Sequence, residues 1–154
     1  MVRARLALLS VMLAGCSPLR VVKSDAPPFD AREGPPLGAV EICVVRPHSL
    51  GFATTLPVRD GGVLVGATRG PSYFCYRAAP GVHRLVAGGR SLTLEVAPGQ
   101  RQFVHQAMLP RRLVAVDAAR GQAMLARCAY LLVADAPDDD APPDPEAVVP
   151  TSGE

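Results

Sequence analysis

Between residues 37 and 134 apolar and polar positions alternate in short runs, and turn residues break the alternation about every eight to twelve positions. AVEICVVR (39–46) is rich in β-branched residues and alternates in part. In PVRDGGVLVG (57–66), Val58 and Val63 flank Asp60-Gly61-Gly62. Asp-Gly between apolar runs predicts a hairpin, because its turn needs positive φ. SYFCYR (72–77) predicts an aromatic strand, and Ala79-Pro80-Gly81 turns it into VHRLVA (82–87). Gly88-Gly89-Arg90 leads to SLTLEV (91–96), where Leu92, Leu94 and Val96 keep a clean period of two. Pro98-Gly99 leads to RQFVHQAML (101–109), and RLVAVD (112–117) predicts a further strand. Asp117 is placed to cap a short helix over 118–127, against which Gly121 counts. AYLLVA (129–134) predicts a closing strand. The pattern predicts a mainly-β protein: a single small antiparallel β-sandwich with a short C-terminal helix.

The flanks depart from this pattern. Residues 17–36 (SPLRVVKSDAPPFDAREGPP) hold five prolines and no apolar period, which predicts an extended tether. At about 3.1 Å per residue its reach is at most about 60 Å. The tail, 135–154, has too little apolar surface to repay the entropy of ordering, so disorder is expected. The charge splits along the same lines. Residues 37–134 carry 11 Arg and four acids, whereas 135–154 carry seven acids and no base, beneath an overall charge of +2.

At the start of the chain Arg3 and Arg5 precede LALLSVMLA (6–14). Nine helical residues span about 14 Å, far short of a bilayer core of about 30 Å, so the run predicts a secretory signal peptide and not a spanning helix. Leu13-Ala14-Gly15-Cys16 resembles the lipobox of bacterial lipoproteins. The resemblance implies cleavage between Gly15 and Cys16, diacylglycerol on the Cys16 thiol, and a further acyl chain such as palmitate on the new amino group. Two or more chains anchor stably. Ser17 is the kind of residue that permits sorting to the outer membrane. The expected organisation is a signal peptide (1–15), a lipidated Cys16 with its tether (16–36), a sandwich (37–134) and an acidic tail (135–154). The expected place is the cell envelope, on the periplasmic face of the outer membrane.

VRDGGVLVG, APGVHRL and LTLEVAPGQRQFV, in that order, resemble the PEGA-like β-sandwich of bacterial envelope proteins, including an uncharacterised family of proteobacterial lipoproteins. Arg46-Pro47, Val58, Gly61 or Gly62, Gly66, Pro80, Gly81, His83 and Gly99 carry the likeness, over residues 39–110. The Pro-Glu-Gly-Ala signature is absent before Val58, and an extra α-plus-β segment follows residue 110. The resemblance implies a non-enzymatic domain.

Three cysteines remain after Cys16. In an oxidising compartment free thiols are disfavoured, and Cys43–Cys75 is the favoured pair because both are mid-strand. Cys128 with either partner, or buried free thiols, are the alternatives. His48, His83 and His105 are scattered singly, without the C-x2-C or H-x3-H spacing of a zinc site, so no metal or cofactor is expected. Cys75 and His83 could meet as a thiol and its base, an arrangement that disulfide formation would prevent. Ser72 in GPSYF is not a nucleophile elbow. Asp138-Asp139-Asp140 lacks the glycine and the alternation of a calcium loop. No enzyme is expected. Arg46, Arg77, Arg84, Arg101, Arg111 and Arg112 are the candidates for holding a phosphate or sulfate bidentately, although 15 Arg to one Lys also fits GC-rich coding. The expected function is binding or structural: an accessory component of an envelope assembly, with the membrane and an envelope protein as partners and no nucleic acid. The alternative is a module that binds an anionic glycan or lipid through an Arg-rich face.

Overall fold

The computed structural model describes residues 19–25 and 34–134. The expected signal peptide, the expected lipobox with Gly15 and Cys16, and the acidic tail lie outside the described residues. Among the described residues, ten strands form two packed sheets, and one helix lies against the larger. The larger contains β1 (Val21–Ser24), β2 (Val40–Arg46), β5 (Ser72–Ala78), β8 (Arg101–Met108), β9 (Arg111–Val116) and β10 (Ala129–Val133), in the order β1-β10-β5-β2-β8-β9. The smaller contains β3 (Thr55–Asp60), β4 (Val63–Arg69), β6 (Gly81–Ala87) and β7 (Arg90–Val96), in the order β4-β3-β6-β7. The fold is the mainly-β sandwich that the alternation predicts. Most pairings are antiparallel. β2–β8 and β10–β5 are parallel, which the long excursions through the smaller sheet permit.

The sandwich begins earlier than the sequence pattern indicates. Val21–Ser24, inside the stretch read as a tether, pairs with β10 from Val21↔Val133 to Ser24↔Tyr130. The prolines of that stretch flank the strand without entering it, and two adjacent valines suit a sheet edge.

β2 runs through the centre of the larger sheet, and all seven of its residues are buried. Val40, Ile42 and Val44 face the smaller sheet, among Val58, Phe74, Leu85 and Val104. Cys43 and Val45 face the other way, onto Phe103 and the apolar side of α1 (Ala118–Leu125). Burial on both faces explains why 39–46 alternates only in part. The helix starts where predicted: the Asp117 side chain accepts from the Arg120 N–H at 2.8 Å. It ends two residues earlier, at Leu125.

Gly121 is the helix's contact point. A Cβ built there would lie 2.1 Å from Cγ of Phe103. Gly66 on β4 stands against the Phe74 ring in the same way, with a Cβ at 2.3 Å. Helix propensity alone would make Gly121→Ala stabilising by about 1 kcal/mol. The ring is buried and cannot retreat freely, so the expected result is a net loss of about 1–3 kcal/mol from overpacking, read from urea unfolding. A stabilised variant would show that the helix does not sit on Phe103.

Candidate functional site

The sulfur chemistry is structural. Cys43 and Cys75 stand directly opposite on β2 and β5, with Cα atoms 4.0 Å apart, and form a disulfide. Cys128 is free. Burial pushes its thiol up to about 11, and it donates weakly to the Arg46 carbonyl at 3.7 Å. Glu41 converges with Cys43 and Cys75 within 4.8 Å. Both sulfurs are bonded to each other, however, and the Glu41 carboxylate accepts from Arg101, so this is not a metal-donor set.

The pairing of Cys75 with His83 is not formed. His83 Nδ1 lies 2.6 Å from Oδ2 of Asp60, and Nε2 lies 2.9 Å from the Ala79 carbonyl. Both ring nitrogens are engaged by Asp60 and Ala79, and neither faces Cys75, whose sulfur is bonded to Cys43. The same Asp60 oxygen accepts from the Tyr76 hydroxyl at 2.9 Å. Tyr76 belongs to the larger sheet, Asp60 and His83 to the smaller. The cluster fastens the two sheets together. Burial first, then the hydrogen bond and charge of Asp60, push the Tyr76 phenol far up, and it stays a donor.

The six candidate arginines do not make one face. Arg46 is fully buried and spends its guanidinium on the chain itself: Nη1 donates to the Thr54 carbonyl at 2.9 Å, and Nη2 to those of Leu50 and Gly51 at 2.7 and 2.6 Å. It clasps the β2–β3 loop and is not exposed to a ligand. Arg101 pairs with Glu41. Arg77 stands opposite Glu41 on β5, and Arg84 is exposed on the smaller sheet. Arg111 and Arg112 open β9 just after the β8–β9 turn, where strand alternation sends them to opposite faces. Arg112 lines a pocket.

That pocket has a volume of about 470 Å³ and lies between the β2–β3 loop and the β8–β9 turn. His48, Ser49, His105 and Arg112 supply its polar groups, and Leu50, Met108 and Leu109 its apolar wall. β8 runs parallel to β2, setting His105 beside Val45 on the helix-covered face. The Arg46 clasp holds the loop that carries His48, and the two imidazole centroids are 6.0 Å apart. His105 Nε2 is buried with no hydrogen-bond partner among the described residues. Burial first, then the positive charges of His48, Arg120 and Arg112, hold the His105 pKa below its ordinary value.

Among the described residues, charge is distributed one-sidedly. Arg69, Arg90, Arg111 and Arg112 are exposed at this end of the sandwich. Glu41, Asp60, Glu95 and Asp117 all lie toward the other end, and Asp25 follows the edge strand furthest from β9. Pattern reading set His48 and His105 aside as isolated residues. Half of the site was within reach, because a hairpin turning at 109–110 puts 105, 107, 112 and 114 on one face.

The His105 shift has a consequence for stability. A base whose folded pKa lies below its unfolded value binds fewer protons when folded. Its contribution is therefore present above about pH 6.5 and is lost as the pH falls through 6.5 and on through the lower folded value. The melting temperature is expected to fall between pH 8 and 5 by more in the wild type than in His105→Gln. Parallel profiles would contradict this.

No family model matches the chain, and no curated protein matches it. Among solved structures it is similar to the N-terminal domain of AlgF from P. aeruginosa, at 16% identity and a TM-score of 0.44, covering 54% of this chain and 99% of that one.

Proposed function

We propose that this chain is an exported, lipid-anchored protein of the cell envelope whose sandwich acts by binding, as an accessory component of an envelope assembly. The observation that carries the reading is the Cys43–Cys75 disulfide in the central strands of the larger sheet. Such bonds form and persist in oxidising compartments, which is where a leader ending in Leu-Ala-Gly-Cys would deliver the chain. The groups that carry chemistry elsewhere support binding over catalysis. The Asp60–His83–Tyr76 and Glu41–Arg101 clusters are committed to contacts within the fold.

Leu19 is three residues beyond Cys16 and enters beside the Arg20–Ala134 contact, at the end opposite the basic pocket. An acyl group on Cys16 would hold that end near the bilayer. A seven-residue strand spans about 20 Å, so the pocket would face outward by roughly that distance.

Feeding cells an alkyne fatty acid tests the anchor. Label on the wild type and none on Cys16→Ser, with release of the variant from membranes, is expected; an unlabelled wild type overturns it. Cross-linking in intact cells tests the assembly, and a defined envelope protein recovered with the chain is the expected result. A second reading, a module for an anionic ligand, is favoured by the basic pocket. It gains if cross-linking recovers glycan or lipid alone.

A further inference from the structure

We propose that the pocket between the β2–β3 loop and the β8–β9 turn binds a phosphate group through Arg112, His48 and His105, with the carrier of that phosphate lying on Leu50 and Leu109. This rests on the second reading above and names its ligand and its residues.

Charge is the first reason. His48 from the loop, Arg112 from β9 and Arg120 from α1 all act on His105. None of the residues lining the pocket is acidic. Positive charge beside the His105 ring opposes its protonation, and a bound anion would be attracted to each of these groups and offset the repulsion among them.

Geometry selects the anion. Three donor side chains reach the pocket from three separate segments. A guanidinium can grip two oxygens of a tetrahedral phosphate while each imidazole takes another. A planar carboxylate has only two oxygens to offer. The buried, unpartnered nitrogen of His105 belongs to the same ring that borders the pocket. The loop is already fixed by three bonds from Arg46, so little ordering remains to oppose binding.

The size of the pocket indicates that the phosphate comes attached to something. About 470 Å³ falls within the range of small-molecule sites and exceeds what a bare ion fills. Leu50 and Leu109 are 55% and 85% exposed beside it, and Phe52 on the same loop is 71% exposed. They offer a surface for an apolar or sugar portion of a phosphate ester. A phospholipid headgroup and a soluble phosphate ester present the same chemistry.

The test titrates the full chain, in detergent, with glycerol 3-phosphate, and separately measures its binding to phosphatidylglycerol and phosphatidylcholine vesicles, following the His105 ring resonances and the heat of binding. Saturable binding of glycerol 3-phosphate, or of phosphatidylglycerol over phosphatidylcholine, is expected, and which of the two binds identifies the source. Arg112→Gln should weaken it tenfold or more. Arg84→Gln, exposed on the other sheet, should leave it unchanged. His105→Gln is a second variant with its own expected loss, and circular dichroism confirms that each variant is folded. No saturable binding, or equal effects of Arg112→Gln and Arg84→Gln, overturns the proposal. Binding of polygalacturonate in place of both phosphate probes also overturns it, while leaving the anionic-ligand reading standing.

Discussion

Arg46→Ala is expected to destabilise the domain by about 3–4 kcal/mol, a large share of the 5–15 kcal/mol that holds a typical domain folded. Arg46 is fully buried at the end of the central strand, and burial together with the nearby Arg111 works against its charge. It remains charged because arginine cannot be deprotonated in a protein. What compensates is the set of three carbonyls, Leu50, Gly51 and Thr54, that accept from it. A hydrogen bond to a charged group contributes about 1.5–3 kcal/mol net, and losing the donor strands its acceptors. Alanine would leave those carbonyls without their donor, together with a cavity. Arg46→Lys should recover only part of the loss, since an ammonium is a point charge and cannot fork to two segments of the loop. Arg46→Met separates packing from bonding: it restores bulk without donors. Equilibrium urea unfolding followed by circular dichroism, suited to a chain with no tryptophan, reads all three. A methionine variant as stable as the wild type would show that the site needs volume and not a clasp. The same loop carries His48 and Leu50, so Arg46→Ala should also weaken the pocket's hold on phosphate.

Arg46 also marks the limit of what was legible in the sequence. Strand alternation, the Asp60-Gly61-Gly62 hairpin and the Asp117 cap are local. Their signals sit within a few residues, and the structure has them, with positive φ at Gly61 and Gly62. Cys43 and Cys75 could be paired because both were legible as mid-strand residues. Partners that are backbone carbonyls leave no mark, since every residue has one, so from sequence Arg46 is a candidate for holding an anion and not a clasp. β1 was missed because its partner β10 lies more than a hundred residues away, and four residues among prolines make no period. The pocket depends on the parallel pairing of β2 with β8, which no local pattern specifies, and His48 reaches it from a loop. Gly121 read as a flaw in a helix. It is where the helix backbone comes closest to an aromatic ring.

Removing the Cys43–Cys75 bond is the second large change, with an expected loss of about 3–4 kcal/mol. The two cysteines are 32 residues apart in sequence. Closing a loop of that length removes about 12–13 cal/mol/K from the unfolded chain, or close to 4 kcal/mol at 25 °C, in the chain-entropy description. Because that contribution acts through the unfolded state, reduction should lower the urea midpoint and also raise the m-value, as the unfolded chain expands. Cys43→Ala with Cys75→Ala should lose somewhat more than reduction does. Cys43 is packed with Val45 and Phe103 beneath α1, and two alanines fill less of that space than two thiols. Cys128 packs in the same cluster and is best replaced by alanine in every sample, so that unfolding cannot shuffle the bond. The folded protein is partly protected from such exchange already, because burial raises the Cys128 thiol to about 11 and leaves little thiolate at neutral pH. The result bears on where the chain works. A domain that loses most of its stability when reduced needs an oxidising compartment to stay folded, and the proposed leader and the core then call for the same place. A domain equally stable with free thiols would fold as well in a reducing one, and the export reading would rest on the leader alone.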